Sequence, residues 1–282
     1  MGLEPSTDVL LLDRATPEMV NGLWNIVLST LSFTYEDVGV WRPTSLVELV
    51  AVEHYRYPAD TLPSYWSELR NWLRTTFTKE AIGDWRRLYD MIEFLAGNWE
   101  RLPREQNHKF EVFGARVNDL LEDERSAFRL LDRKVVPITN ASELHAISEV
   151  GELANNLGLE QARVHLTAAV SELAVRPTPN FRNCIKEAIN AVEVVASQLA
   201  GEKKAALPKA LGKLETKAGI HSQLKTAFTN MYNYTSGESG IRHCIMDENN
   251  VGLTEAKFML VSCSAFVHYM IMKARDAGML AG

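Results

Sequence analysis

The sequence predicts a mainly α-helical protein that contains one small β-hairpin. Apolar side chains recur at three- and four-residue steps along most of the chain, which is the spacing of a buried helix face. Residues that cap helices stand before several of these segments. One short segment, near residues 127–138, combines leucine and valine with polar residues at its centre, which is typical of a tight hairpin.

The first two predicted helices begin at capping signals. Thr16 and Pro17 supply an N-cap and a first-turn proline ahead of a segment with helical periodicity. Ser45 and Glu48 have the spacing of a capping box, in which each side chain bonds the backbone amide of the other residue. The segment LVELVAVEHY follows this pair, so we expect a second helix there.

Two further predicted helices carry aromatic stripes. One begins at Pro63 and runs to Phe77, and the next covers residues 85–95. The stripes consist of Trp66, Leu69, Trp72 and Leu73, and of Trp85, Leu88, Tyr89, Ile92 and Leu95. Because aromatic side chains bury a large apolar area, we interpret both stripes as core rather than as platforms that stack on bases.

The hairpin is expected to turn near Asp132 and Arg133 and to end before a proline. A helix restarts at Asn140, which has capping-box spacing to Glu143. A further helical pattern covers residues 161–175.

Two prolines in RPTPN, residues 176–180, interrupt the helical pattern, and we place the domain boundary there. A helical amino-terminal domain then covers residues 1–176 and a second domain covers 177–282. Composition changes in the same region: all six tryptophans precede residue 100, and nine of the 12 lysines follow residue 180. The net charge is −9 before residue 180 and +3 from there onward, so an anionic ligand should prefer the carboxy-terminal part.

Four helices follow the boundary, with a long interruption before the last, and this arrangement predicts a bundle. The first, NCIKEAINAVEVVASQLAG, has one apolar face and ends at Gly201. The second, near residues 207–214, carries a stripe of lysines that we interpret as a solvated face or at most a phosphate-facing one. The third covers 222–232. The fourth, 254–275, is apolar nearly all round, so we expect it to lie centrally or against a partner subunit. The lysine stripe consists of Lys209, Lys213 and Lys217.

The sequence predicts no metal site, no cofactor and no membrane span. Cys184, Cys244 and Cys263 lack CxxC spacing, and without a secretory signal we expect reduced thiols in a cytoplasmic protein. The longest apolar stretch, 258–272, contains polar residues and is shorter than the roughly 20 residues that a membrane helix needs. Five histidines show no metal-site spacing: His54, His108, His145, His165 and His221.

The order of four segments gives the carboxy-terminal third a resemblance to a HEPN domain, a four-helix bundle of bacterial toxins and abortive-infection proteins. These segments are NCIKEAINAVEVVA, LPKALGKLE, YTSGESGIRH and AKFMLVSCSAFVHYM. The preceding region resembles the amino-terminal domain that accompanies such bundles in proteins similar to abortive-infection protein J. The segments that carry this second resemblance are WRRLYDMIEFL, VNDLLEDERSAFRLLDRKVVPIT and ARVHLTAAVSEL.

The resemblance implies metal-independent RNA cleavage by a dimer, with functional residues of both subunits meeting in a cleft. The 2′-hydroxyl of RNA becomes a nucleophile when a base removes its proton. The leaving oxygen then needs a proton, and the crowded phosphate needs a cation. Histidine suits the first two tasks and arginine suits the third.

Arg242 and His243, which follow a glycine-containing turn, are the residues onto which the resemblance carries these roles. Arg242 would neutralise the phosphate and His243 would act as acid and base. The usual motif places a histidine after four to six intervening residues, whereas this chain has Asp247, Glu248 and Asn249 there. Adjacent residues project about 100° apart on a helix, so the pair would reach one phosphate only at a helix end or in a loop.

Residues outside the pair are candidates for a supporting role. Glu187 and Glu193 of the first bundle helix would orient or pair with Arg242, or they are ordinary solvent-facing acids. Tyr234, like Tyr232, would contact RNA by stacking on a base, although core packing is the commoner role for tyrosine.

A polar stripe on the last helix supplies further candidates. Lys257, Ser264 and His268 lie on one side of this helix, and Arg275 continues the stripe. The stripe would line a dimer cleft and contact RNA. Alternatively, His268 is a buried histidine with a hydrogen-bond partner.

These observations lead to three hypotheses. The first is an anti-phage defence or toxin protein that binds and cleaves RNA as a homodimer through its carboxy-terminal bundle. Its amino-terminal domain would sense a phage-derived or cellular trigger. The second is a catalytically inactive bundle that serves in dimerisation or RNA binding. The third is a structural helical protein without affinity for RNA, which would fit the net charge of −6.

Overall fold

The computed structural model describes residues 14–31, 33–35, 41–43, 49–63, 65–101, 110–202, 205–236 and 251–280. The protein is mainly helical, which confirms the predicted fold class. Contacts between Cα atoms divide the chain into two compact units, Met1–Thr139 and Asn140–Gly282. The domain boundary that the sequence places at residues 176–177 falls inside the second unit and stays a prediction.

The described residues of the first unit include four α-helices. They are α1 (Pro17–Thr30), α2 (Trp66–Gly83), α3 (Arg86–Gly97) and α4 (Phe110–Asp123), with a π-helix at Val50–His54 and 3-10 turns at Ala59–Thr61 and Trp99–Arg101. The predicted start of α1 is confirmed, since the Thr16 hydroxyl accepts a hydrogen bond from the Met19 amide at 2.9 Å. Ser45 and Glu48 lie outside the described residues. The segment beyond them is π-helical where the sequence predicts an α-helix.

Two short antiparallel strand pairs accompany these helices. The strands are β1 (Phe33–Tyr35) with β2 (Trp41–Pro43), and β3 (Arg129–Leu131) with β4 (Lys134–Val136). The second pair is the predicted hairpin. Asp132 and Arg133 both have positive φ at its turn, which matches the right-handed twist of the flanking strands. The first pair was missed by the sequence analysis, because three-residue strands are too short to show an alternating pattern.

The aromatic stripes pack in the core of the first unit, as predicted. Trp66 is 8% exposed and Tyr89 1% exposed, and the Trp24 and Phe77 rings lie 5.7 Å apart. The Tyr89 hydroxyl lies 3.0 Å from the Ser126 hydroxyl, which satisfies both buried polar groups.

Six helices are described in the second unit. They are α5 (Ala141–Asn156), α6 (Glu160–Leu173), α7 (Phe181–Ala200), α8 (Leu207–Ala218), α9 (Ser222–Ser236) and α10 (Leu253–Asp276). The helix α7 packs against α6, α8 and α10, and α5 packs against α6 and α10. The predicted apolar face of α7 is buried along its whole length, which makes α7 the centre of this unit. The four helices predicted after residue 180 therefore belong to the same unit as α5 and α6.

The start of α5 provides a stability test. The Asn140 side-chain oxygen accepts hydrogen bonds from the amides of Ser142 and Glu143, at 2.9 and 3.2 Å. Asn140→Ala leaves these amides without a protein partner, so we expect a loss of about 1 kcal/mol in the free energy of unfolding. Urea unfolding followed by circular dichroism measures it. Asn140→Asp keeps the cap and serves as the control, and an unchanged Asn140→Ala midpoint would contradict the assignment.

Candidate functional site

A cavity of about 870 Å³ opens at the carboxy-terminal end of α7. Its wall includes residues from the end of α7, from the connection to α8 and from α9. The lining residues are Glu193, Val194, Ser197, Gln198, Gly201, Glu202, Ala205, Ala206 and Tyr232. Both apolar and polar residues line it, as in many small-molecule sites.

The turn after α7 shapes this cavity. Gly201 has φ +70°, a left-handed conformation that glycine adopts without steric cost, and the helix ends there as predicted. The Glu202 amide donates to the Ser197 carbonyl at 3.0 Å, and the Ser197 hydroxyl donates to the Ala205 carbonyl at 3.0 Å. The chain after α7 is therefore held back against the last turn of the helix.

The lysine stripe of α8 is engaged within the protein. Lys209 lies 3.1 Å from a Glu202 carboxylate oxygen, and Lys213 contacts the other oxygen of the same carboxylate. Hydrogen bonds from Lys213 and Lys209 lower the pKa of Glu202 below its usual range. Lys217 points to the Ala200 carbonyl at 3.5 Å, near the negative end of the α7 dipole. Two of the three lysines share the single Glu202 carboxylate, so these contacts neither establish nor exclude a phosphate-facing role for the stripe.

Two residues that the sequence analysis suggested as candidates line this cavity. Glu193 and Tyr232 both line the cavity, whereas Tyr234 is 51% exposed and does not pack in the core. Arg242 and His243 lie outside the described residues, in the stretch of chain that follows Ser236 at the end of α9. Tyr232 stands about one helical turn before that end.

Glu187 has a partner that sequence reasoning missed. Its carboxylate oxygen lies 2.7 Å from Nδ1 of His165 on α6, and Lys186 is 3.6 Å from the other oxygen. A carboxylate at this distance fixes the orientation of an imidazole ring. No sequence signal indicated the pair, since His165 and Glu187 stand on different helices and are separated by 22 positions.

The polar stripe of α10 meets carboxylates of α5. Lys257 Nζ lies 2.8 Å from a Glu143 oxygen, and His268 Nε2 lies 3.7 Å from a Glu149 oxygen. The Ser264 side chain is buried, and its hydroxyl has no hydrogen-bond partner among the described residues. His268 is partly exposed, and its separation from Glu149 is that of an ion pair rather than a hydrogen bond, so the role of this residue stays a prediction.

The two described cysteines are buried and unpaired. Burial raises the pKa of the Cys184 thiol to about 12, with a smaller contribution from the nearby Glu172 carboxylate, and burial also raises the pKa of Cys263. Since the thiolate is the reactive form, we expect neither thiol to react with N-ethylmaleimide at pH 8 in the native protein. Mass spectrometry should show both labelled after denaturation in guanidinium chloride. Fast native labelling of either would contradict their burial.

Within the described part of the chain, no group of three or more histidine, cysteine, aspartate or glutamate side chains is arranged to hold a metal ion. The helices of that part also include none that is long and apolar enough to cross a membrane.

Comparison with known families identifies the amino-terminal part. The profile of the family AbiJ N-terminal domain 4 matches residues 1–151, which is more than half of the 282 residues. The match ends inside α5 and does not extend over α7–α10. Neither the curated proteins nor the solved structures contain a match to this chain. The resemblance to abortive-infection protein J is thereby confirmed for residues 1–151, which exclude the segment ARVHLTAAVSEL, and the chain belongs to the AbiJ N-terminal domain 4 family of AbiJ-like abortive-infection proteins.

Proposed function

We propose that α7–α10 form a HEPN-like bundle that binds and cleaves RNA by metal-independent acid/base chemistry in anti-phage defence. One observation carries the proposal. Four helices follow the AbiJ-like domain along the chain in the predicted order, and a long connection precedes the last of them. Arg242 and His243 belong to that connection. The AbiJ-like domain senses a phage-derived or cellular trigger and controls the bundle.

In the proposed reaction His243 removes the proton from the 2′-hydroxyl and returns a proton to the leaving oxygen. Arg242 balances the charge of the phosphate while the 2′-oxygen attacks it. In this scheme Glu193, which lines the cavity at the end of α7, would orient the arginine. The Tyr232 ring in the same wall would stack on a base.

The outer face of α10 supports a homodimer. Phe258 is 61% exposed and Met272 37% exposed, Ala265 is exposed, and Val261 and Tyr269 are half-buried. These residues recur at steps of three and four, so they form one apolar seam along the helix. A contiguous exposed apolar face marks a surface that another protein covers. We assign this surface to a second copy of the chain. The two α10 seams would then pack against each other.

The direct test is incubation of the purified protein with total RNA in a buffer that contains EDTA. We expect fragments with 2′,3′-cyclic phosphate ends, because attack by the 2′-oxygen leaves that group. Binding to a single-stranded RNA should weaken as salt increases, since phosphate contacts release counterions. Absence of both cleavage and salt-dependent binding would refute the proposal and favour a structural protein.

The alternative is a bundle without catalytic activity that serves in dimerisation or RNA binding. The departure from the usual arginine-to-histidine spacing favours it, because Asp247, Glu248 and Asn249 stand where a histidine is expected. This alternative predicts a dimer that binds RNA and leaves it intact, with EDTA and with added magnesium alike. Cleavage that requires Arg242 would exclude it.

A further inference from the structure

Helix α5 lays acidic side chains along the polar stripe of α10. Glu143 pairs with Lys257 at 2.8 Å, and Glu149 lies 3.7 Å from His268. His145, also on α5, lies 3.5 Å from the other oxygen of Glu149. Glu143 precedes Glu149 on α5, and their partners Lys257 and His268 follow in the same order on α10. The two helices therefore run parallel over this contact.

The polar line of α10, which consists of Lys257, Ser264 and His268, lies against α5. A permanent contact between two helices is normally apolar. Lys257, Ser264 and His268 fall within about 40° of one another around the helix axis. Ser264 therefore lies between the two pairs on the side that faces α5. It is fully buried, and its hydroxyl has no hydrogen-bond partner among the described residues. A buried hydroxyl without a partner costs about 1–3 kcal/mol.

These polar features weaken the contact between α5 and this line of α10. The contact contains two partly exposed charge pairs, with the side chain of Lys257 30% exposed and that of His268 35% exposed. The Ser264 hydroxyl has no hydrogen-bond partner among the described residues in the closed state, and it would bind water in the open state. Partly exposed ion pairs of this kind contribute little to a helix contact. Most of the free energy that holds α5 in place comes from its buried Ile147, Val150 and Ala154, so opening of the polar line requires a trigger that acts on α5 itself as well as a competing anion.

The position of α5 in the chain gives the contact a direction of control. The AbiJ N-terminal domain 4 match ends at residue 151, within α5, while the contacts of α5 place it in the second unit. A helix that is continuous with the AbiJ-like domain thus lies on the last helix of the bundle. The polar line also stands beside the exposed apolar seam of α10, about 80° away around the axis.

We propose that α5 is a displaceable strap, which covers an RNA-contacting line on α10 and holds Glu143 and Glu149 where RNA phosphates would bind. In the closed state Lys257 is neutralised by the strap. Release of α5 exposes Lys257, Ser264 and His268 beside the dimer seam, and the phosphate backbone of RNA takes the place of the two carboxylates. The RNA part of this inference rests on the proposed function, whereas the opening of the strap does not.

Thiol labelling tests the opening without RNA. Ser264→Cys, introduced together with Cys244→Ser, places a small thiol under the strap. N-ethylmaleimide labelling is then compared with and without Glu143→Gln plus Glu149→Gln. We expect the double glutamine variant to label the introduced thiol roughly three- to tenfold faster, because two partly exposed charge pairs are lost. The background is measured on the same peptide from protein without Ser264→Cys, in which Cys263 is the only thiol.

The matched control is Glu152→Gln, which removes an exposed α5 carboxylate without touching either pair. It should leave the labelling rate unchanged. Equal rates in the double glutamine variant and this control would overturn the strap. So would faster labelling accompanied by labelling of Cys184, since that would indicate general unfolding.

Affinity for a short single-stranded RNA in EDTA, measured by fluorescence anisotropy, separates the two proposals. The double glutamine variant should bind roughly three- to tenfold more tightly, and adding Lys257→Ala should remove the gain. Faster labelling with no RNA binding by any variant would support the strap and refute the RNA function. RNA binding that is identical in all variants, with faster labelling, would overturn the RNA-contacting role of this line and leave the proposed function intact.

Discussion

Arg242→Ala should lower the rate of RNA cleavage by about 10²- to 10³-fold, because the loss of one charged group that stabilises a transition state has an effect of this size. His243→Ala should lower it by about 10²- to 10⁴-fold, because it removes the group that transfers protons. Both residues belong to the connection before α10, so neither substitution removes a residue of the described core. We expect both variants to unfold at the temperature of the parent.

The measurement is the initial rate of cleavage of a labelled RNA in EDTA, at enzyme concentrations above the dissociation constant. Arg74→Ala is the matched control, since Arg74 is an exposed arginine of α2 in the first unit and is not among the candidate site residues. It should retain most of the activity. Cleavage that persists unchanged in Arg242→Ala and in His243→Ala would refute the site assignment, whatever the activity of the control.

Phe258→Asp combined with Met272→Asp should convert the proposed dimer into a monomer. Covering the exposed part of these side chains with a partner subunit would contribute about 1–2 kcal/mol for Phe258 and about 0.5–1 kcal/mol for Met272 in each copy, and burying the new carboxylates without partners would oppose association further. The dissociation constant should therefore rise by at least about 100-fold. The positions are 61% and 37% exposed in the single chain, so the variant should keep its fold.

Light scattering at micromolar concentration measures the mass of each variant. Val164→Asp provides the control, since Val164 is a 45% exposed apolar residue of α6 and does not belong to the α10 seam. It should remain dimeric. A monomeric parent, or a dimer that survives both substitutions, would show that the seam is not the interface. If the cleft requires both subunits, the monomeric variant should also lose RNA cleavage while its separate chains remain folded.

The positions of the helices and the hairpin followed from local signals. Thr16, Asn140 and Gly201 each act on backbone groups within a few residues, so their effect is visible in a short stretch of sequence. The buried face of α7 was predictable for the same reason, because a period of 3.6 residues sets which side chains share a face.

The partners of the charged residues were not predictable. Glu187 was a candidate for holding Arg242, yet it contacts His165 on a neighbouring helix. Lys257 and His268 were candidates for a cleft, yet they meet Glu143 and Glu149 of a helix more than 100 positions earlier. Charged side chains reach several ångströms and pair with whatever carboxylate the packing brings near, so no periodic pattern marks the pair.

The amino-acid sequence by itself determined the helical class, the hairpin, the buried face of α7 and the arginine-histidine pair in the connection before the last helix. It could do so because hydrogen bonds and apolar periodicity within a helix or turn depend on neighbours in the chain. Only the tertiary structure decided that α5 covers the polar stripe of α10 and that Glu193 and Tyr232 share one cavity. Those relations depend on how helices far apart in the chain pack together, and the packing is set by the sum of many weak contacts rather than by any single motif.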